Sequence, residues 1–296
     1  GKIAFSYPGS ATAYRGLGQD IFQLFPSLHE HFGQKLEDIA DFVGSSYLHP
    51  KLQSRQEEAP SIQTDAVSMM CAGVFSSAIY THLLKDKFGL KPDLAFGYSM
   101  GESAGMWYSF DVWNPDNTAV FRNSDLFANQ LSGDLRLLAE TWGISSEEAK
   151  ARWISLILLA DKEAVQNLVA QEDRCYLSFI NTPQEVIISG DKEACNRVVQ
   201  QLGCPAVEVP FQNVIHHDFC KKVQEELYDM HHFPLETQPN IDFYSSLSLA
   251  PLPMDSGVIA QNSTQVCFQP VDYPTTIQQL YNDGARIFIE LGAGNT

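Results

Sequence analysis

Gly97-Tyr98-Ser99-Met100-Gly101 places a serine between two glycines. A serine hydroxyl is a weak nucleophile. To do acyl chemistry it needs a base to take its proton and a pair of N–H donors for the oxyanion that forms. The glycines fit that setting, because a chain turning sharply from strand to helix leaves no space for bulk beside the serine. Met100 then offers its backbone N–H at a helix start, where donors are unpaired and the helix dipole favours negative charge. A lone G-x-S-x-G also arises in ordinary glycine turns, so the flanking elements carry the argument. The base is sought among eight histidines: His29, His31, His49, His82, His216, His217, His231 and His232. His29 and His31 lie in a polar, helix-like stretch, while His49, His231 and His232 lie beside proline or in loops. His216 and His217 follow a strand-like run and precede a helical one, Phe219 to Leu227. Sites of α/β folds gather at such junctions. One of this pair is the candidate base, and the pattern leaves both open.

These residues demand particular elements to hold them. Ile3 to Tyr7 is a short apolar run closed by Pro8-Gly9, a buried strand and its turn. Ser61 to Leu84 has helical apolar spacing, with Gly89 suited to the exit. Pro92 to Gly97 is a strand that runs into the serine, and the small residues Ser103-Ala104-Gly105-Met106 continue as a helix. Strand, G-x-S-x-G and helix, in that order, form the context of a nucleophile elbow. From Ser132 to Pro210 the rhythm changes to strand, helix, two strands joined at Asn181-Thr182-Pro183-Gln184, helix and strand. That is the ferredoxin-like β-α-β-β-α-β order. The fold class expected is α/β: an α/β-hydrolase-like large subdomain with a mostly parallel sheet, 1–131 and 211–296, and an inserted ferredoxin-like small subdomain, 132–210. Ala285 to Leu291 is its final buried strand.

Composition narrows the function classes. The 296 residues carry 36 acidic and 19 basic side chains, a net charge of −17, with 44% hydrophobic content. That is a globular balance. Its sign argues against nucleic acid and anionic membrane surfaces, which need a positive field. No run of about 18 apolar residues is read, so no membrane span is expected. Cys71, Cys175, Cys195, Cys204, Cys220 and Cys267 form no C-x-x-C pair. They read as buried thiols of a reducing, cytoplasmic protein, with no ligand spacing for a metal. Both ends read as cut, as in a domain taken from a longer chain.

Gly97 to Glu102 resembles the G-H-S-x-G-E elbow of malonyl-CoA:acyl-carrier-protein transacylases and of the acyltransferase domains of polyketide and fatty-acid synthases. Further segments are similar to those of the family. Tyr7-Pro8-Gly9-Ser10 through Gly18 resembles the N-terminal F-P-G-Q-G loop, and Ser61-Ile62-Gln63 the glutamine-bearing helix start. Asn181 to Gly190 resembles the N-x-P-x-x-x-V-I-S-G hairpin. Gln269 to Tyr273 and Ile289 to Gly294 resemble the N-P-V-x-W and E-x-G-P-G segments. The resemblance implies a ping-pong transacylase. Ser99 would take an acyl group from acyl-CoA, and the phosphopantetheine thiol of an acyl carrier protein would remove it, with no bound cofactor and no metal. It implies Met100 and Ser10 as backbone oxyanion donors and His216 as base, with His217 as the alternative. Asp272, through its carbonyl or carboxylate, is the possible partner of the histidine. Gln63 and Asn181 are possible substrate contacts.

Departures from the family pattern carry information too. Tyr98 replaces the elbow histidine of many members. Malonyl-type members bear an arginine about 25 residues after the serine, and the ungapped count reaches Ser124 as the possible substrate contact, with Arg122, two residues away, as the fallback that a local gap would restore. A buried carboxylate without an arginine is costly. The serine therefore points to an uncharged acyl group. Met100, Met106-Trp107 and Phe110-Asp111-Val112-Trp113 resemble the branch found in polyunsaturated-fatty-acid synthases, with Trp107 and Trp113 read as core. A thioesterase on the same fold is the competing expectation, and a non-catalytic docking module is the third. The acidic chain would repel an acidic carrier protein, so docking is expected on Arg15, Lys221 and Lys222, with neighbouring synthase domains as further partners.

Overall fold

The computed structural model describes residues 1–14, 17–35, 66–209 and 212–293. Among the described residues the strands are β1 (Lys2–Tyr7), β2 (Leu94–Gly97), β3 (Trp153–Leu158), β4 (Cys175–Thr182), β5 (Glu185–Asp191), β6 (Ala206–Glu208), β7 (Asp242–Ser245), β8 (Ala250–Pro251), β9 (Val271–Asp272) and β10 (Ala285–Glu290). The chain divides into two compact units. One holds Gly1–Ser124, Tyr228–Ser263 and Asp283–Thr296, and the other holds Asp125–Leu227 and Thr264–Asn282.

The first unit carries a five-stranded sheet in the order β10-β1-β2-β7-β8. β10, β1, β2 and β7 are parallel neighbours and β8 closes the edge antiparallel. Ala4, Phe5, Leu94 and Ala95 are fully buried, as the strands of a parallel sheet covered on both faces must be. The pairing Ser6↔Phe96 and Tyr7↔Gly97 brings the carboxyl ends of β1 and β2 level. Pro8, which cannot extend the ladder, ends β1 there. The helix Ala66–His82 is apolar on every side and largely buried. With its continuation to Lys87 it is long and apolar enough to cross a bilayer, which corrects the count of apolar runs. Ser, Thr and Gly interrupt the run without making the segment polar, and 61% of its most apolar window is buried within the protein, the packing of a core helix. Trp107 and Trp113 are buried together against Phe243, with ring centroids 6.1 Å apart and Trp107 4.8 Å from Phe243.

The second unit carries the order β6-β3-β5-β4-β9. Its first four strands are antiparallel neighbours and, with helices Lys162–Val169 and Lys192–Leu202, form the ferredoxin-like arrangement. Ile154, Leu156, Leu158, Val186 and Ile188 alternate along β3 and β5 to make its core with Val165, Cys195 and Val198 from the helices. Both helices start on an aspartate. Asp161 Oδ1 accepts from Glu163 N and Ala164 N, and Asp191 Oδ1 from Glu193 N and Ala194 N. Such caps stabilise by about 1 kcal/mol each. The fifth strand, β9, lies parallel to β4 through Phe179↔Val271 and Ile180↔Asp272. This pairing draws residues from 264 to 282 into the unit, which is wider than 132–210. Two residues after a proline leave too short a pattern for the sequence to announce such a strand.

Candidate active site

The first unit builds the elbow. Tyr98 N donates to Tyr7 O at 2.8 Å, and the chain then reverses into a helical turn in which Gly101 N donates to Tyr98 O and both Glu102 N and Ser103 N donate to Ser99 O. Ser99 sits at φ +54° and is buried. A non-glycine residue in that region costs about 1–3 kcal/mol and persists only where its surroundings impose it. The surroundings here are tight. A Cβ on Gly97 would lie 2.0 Å from Glu102 N, and one on Gly101 would lie 1.9 Å from Tyr7 O. Both glycines are required by close approach of backbone to backbone, as the sequence pattern implies.

The turn after β1 lies against this elbow. A Cβ on Gly9 would meet the Tyr98 ring at 3.1 Å, and one on Gly73 would meet the Met100 side chain at 3.0 Å. Ser10 opens the 3₁₀ turn Ser10–Thr12, with Gly9 as its cap residue. Met100 precedes the π-helical turn Gly101–Gly105, which continues as helix Met106–Ser109. The N–H groups of Ser10 and Met100 thus both stand at the start of helical turns, where no preceding turn supplies an acceptor.

The second unit holds the histidine pair, and the two neighbours have opposite surroundings. His216 lies at φ +66° and is buried. Its backbone N–H donates to Cys267 O at 2.7 Å. Its Nδ1 lies 2.9 Å from Val266 O and 3.1 Å from Gln269 O. Carbonyl oxygens only accept, so Nδ1 carries the proton and Nε2 is the basic nitrogen. These carbonyls stand at and just beyond the end of helix Ser256–Val266, where the helix supplies them no donor, so one residue satisfies several at once. The Phe179 ring covers His216 edge-on at 4.6 Å. Burial pulls its pKa down to about 4, against the two carbonyl contacts that raise it. His217 is instead enclosed by Trp153, Tyr176 and Phe219, at 5.3, 5.0 and 5.2 Å between ring centroids. Its Nε2 is buried and makes no hydrogen bond, and burial with His216 alongside pulls its pKa to about 3.

Asp272 is not the partner of His216. Its Oδ1 accepts from Thr275 N at 3.0 Å and its carbonyl from Thr276 Oγ1 at 3.1 Å, which caps helix Tyr273–Asn282. The carbonyls of Val266 and Gln269 hold the imidazole instead. Asn181 Nδ2 donates to Glu185 Oε1 across the β4–β5 hairpin at 2.9 Å. In the first unit Ser124 Oγ donates to Met230 Sδ at 3.3 Å, and Arg122 ends helix Thr118–Arg122, half-buried. Lys221 pairs with Asp218 at 2.6 Å, and Lys222 Nζ donates to Thr141 Oγ1 at 3.0 Å. Gln63 and Arg15 lie outside the described residues. Among the described residues, no three His, Cys, Asp or Glu side chains converge as metal ligands would.

One residue of the elbow motif, to which the sequence pattern gives no role, is tied to two distant segments. Glu102, buried three residues after Ser99, accepts from Ser246 N at 3.1 Å and from Asn262 Nδ2 at 2.9 Å. Its signals in the sequence are its place as the last residue of the G-H-S-x-G-E-like segment and its acid side chain inside a run of small and apolar residues.

No family model matches the chain. It is 26% identical over 316 residues to a polyunsaturated fatty acid synthase polypeptide of Thraustochytrium sp., covering 99% of this chain and 15% of that protein. It is 21% identical over 303 residues to the malonyl CoA-acyl carrier protein transacylase of Bacillus subtilis, covering 99% of this chain and 87% of that one. Among solved structures, the malonyl-CoA:acyl carrier protein transacylase of Xanthomonas oryzae superposes with a TM-score of 0.75 at 16% identity, over 99% of this chain and 88% of that one. The chain has the fold of those proteins, and its likeness to transacylases and synthase acyltransferase domains runs along nearly its whole length.

Proposed function

We propose that this chain is an acyltransferase that moves an acyl group between CoA and carrier-protein thioesters, as part of a fatty-acid or polyketide-type synthase. The observation that carries the proposal is Ser99 at positive φ on a strand–turn–helix whose two glycines leave no space for a side chain. In the first half-reaction Ser99 Oγ attacks the thioester carbonyl while Nε2 of His216 takes its proton. The N–H groups of Met100 and Ser10 receive the developing oxyanion. The C–S bond then breaks, the proton passes from His216 to the departing CoA thiolate, and an acyl-Ser99 ester remains. The phosphopantetheine thiol of a carrier protein repeats these steps in reverse and leaves with the acyl group.

The Val266 and Gln269 carbonyls support the role given to His216, because they fix the tautomer in which Nε2 is the basic nitrogen. An arginine partner for a substrate carboxylate is not read at position 124, where the hydroxyl of Ser124 lies on Met230. An uncharged acyl group is therefore the proposed cargo.

Incubation with acetyl-CoA, malonyl-CoA and a long-chain acyl-CoA tests the proposal by the mass of the Ser99 peptide. An adduct from the uncharged thioesters, lasting until holo carrier protein is added and missing in Ser99→Ala, is expected. Rapid loss of the adduct to water would replace transfer by hydrolysis. A dominant malonyl adduct would overturn the proposed cargo. The absence of any adduct would overturn the reaction.

A further inference from the structure

Glu102 is a carboxylate in the interior of the first unit, 1% exposed. Among the described residues no lysine, arginine or histidine is paired with it. Its closest partners are two N–H donors on separate segments, and the hydroxyls of Ser246 and Ser245 also favour its charged form. Ser246 N, just after β7, approaches both oxygens at 3.1 and 3.2 Å, and Asn262 Nδ2, on helix Ser256–Val266, approaches Oε1 at 2.9 Å. Behind them Ser245 Oγ donates to Asn262 Oδ1 at 2.6 Å and accepts from Leu247 N and Ser248 N at 3.0 and 3.3 Å. Burial pushes the Glu102 carboxyl above its ordinary value, while the hydrogen bonds hold it down. A buried acid without a cation is expensive, so its presence calls for a return that packing alone does not give.

That return lies at the other end of the same turn. Glu102 N donates to Ser99 O at 3.0 Å, and the Gly97 and Gly101 backbones are in contact with the backbone around it. Whatever fixes Glu102 fixes the turn that holds Ser99 at φ +54°. We infer that Glu102 is a positioning residue: its carboxylate ties the elbow to the turn after β7 and to Asn262, and so holds Ser99 and the Met100 N–H in reactive register. The inference rests on Ser99 being the nucleophile proposed above.

The direction of each hydrogen bond supplies the test. In Glu102→Gln the new amide nitrogen faces Ser246 N in either orientation, and at the Oε1 position it faces Asn262 Nδ2 as well. In the double variant Glu102→Gln/Asn262→Asp the polarity is exchanged. The amide introduced at position 102 donates to the carboxylate introduced at position 262, its oxygen accepts from Ser246 N, and Ser245 Oγ still finds an acceptor. Two readouts are taken with the thermal midpoint of each variant: acylation of Ser99 by acyl-CoA, and its phosphonylation by a fluorophosphonate, which needs only a competent serine. The single variant is expected to lose about tenfold in both rates with KM for acyl-CoA unchanged, and the double variant to recover most of the loss. A Glu102→Gln protein that reacts at the wild-type rate overturns the inference, as does a double variant no faster than the single. Should Glu102→Gln not fold, Asn262→Ser, which spares the Ser246 contact, is expected to show a smaller loss of the same kind, and a wild-type rate there overturns the inference. A wild-type protein labelled by the fluorophosphonate but not by any thioester overturns the acyltransferase reading and leaves the comparison of variants intact. A wild-type Ser99 inert to both overturns both.

Discussion

His216 and His217 are adjacent in sequence, and single substitutions separate their roles. His216→Ala removes the nitrogen whose tautomer the Val266 and Gln269 carbonyls fix. Ser99 acylation, followed by mass, is expected to fall by about 10²–10⁴-fold, the usual worth of a positioned base. His217→Phe keeps an aromatic ring among Trp153, Tyr176 and Phe219 and discards a buried nitrogen that has no hydrogen bond. It is expected to acylate at the wild-type rate without a lowered thermal midpoint. A slow His217→Phe with a normal His216→Ala would exchange the assignments. The pH profile follows from burial. With its pKa pulled down to about 4, His216 is neutral and basic through the physiological range. The acylation rate should rise through about pH 4 and stay level above it, and a midpoint near the ordinary 6.5 would mean that water reaches the ring. At this scale the sequence supplied the residue types and the strand-to-helix placement of the pair. That placement left the choice between them open, and only the family resemblance favoured His216, because the choice depends on which ring meets carbonyls and which meets aromatics. Asp272 shows the same limit from the other side: its carboxylate is spent on a helix cap that its own sequence neighbourhood supplies.

At the scale of elements, the elbow was legible because its order of strand, glycine-flanked serine and helix is local. The strand, the turn and the helix are consecutive in the chain, so the crowding of Gly97 against Glu102 N is written within about ten residues, while that of Gly101 comes from β1, far earlier in the chain. A Cβ at Gly101 would stand 1.9 Å from Tyr7 O, a backbone atom that cannot move aside without separating β1 from β2. Gly101→Ala is therefore expected to destabilise by more than about 3 kcal/mol, beyond the usual range of an overpacked methyl, measured as a lower denaturation midpoint or loss of soluble protein. The four ferredoxin-like strands and their helices were legible for the same reason: alternation and Asp caps are local signals. β9 was not, since two residues gain their strand character only from β4, far earlier in the chain. Glu102 was visible as part of the motif, but its role was not, because its partners, Ser246 and Asn262, lie 144 and 160 residues further along.

For the whole molecule, the two buried histidines link stability to acidity. Both have folded pKa values below the ordinary 6.5, near 4 and 3. The unfolded chain therefore binds protons that the folded chain refuses as the pH falls below 6.5. Their contribution is intact above that value and is lost progressively towards pH 4 and below. The denaturation midpoint should fall over this window, and His217→Phe should make the fall shallower. The net charge of −17 bears on the proposed carrier protein in the same way that it bears on nucleic acid, through the sign of the field. Lys222, held by a single hydroxyl contact, is more available than Lys221, which is paired with Asp218. Lys222→Glu is expected to raise KM for carrier protein more than KM for acyl-CoA. The pairing of β1 with β10 has a consequence for biosynthesis. Residues 2–6 wait for residues 285–290 to complete their hydrogen bonds. At ordinary translation speeds roughly 15–60 s separate the emergence of the two strands from the ribosome. Throughout that interval one edge of β1 is an open template for any extended segment nearby. A holdase that shields the first strand, or a pause that lets the last one arrive, would matter more to the yield of this protein than to its final stability.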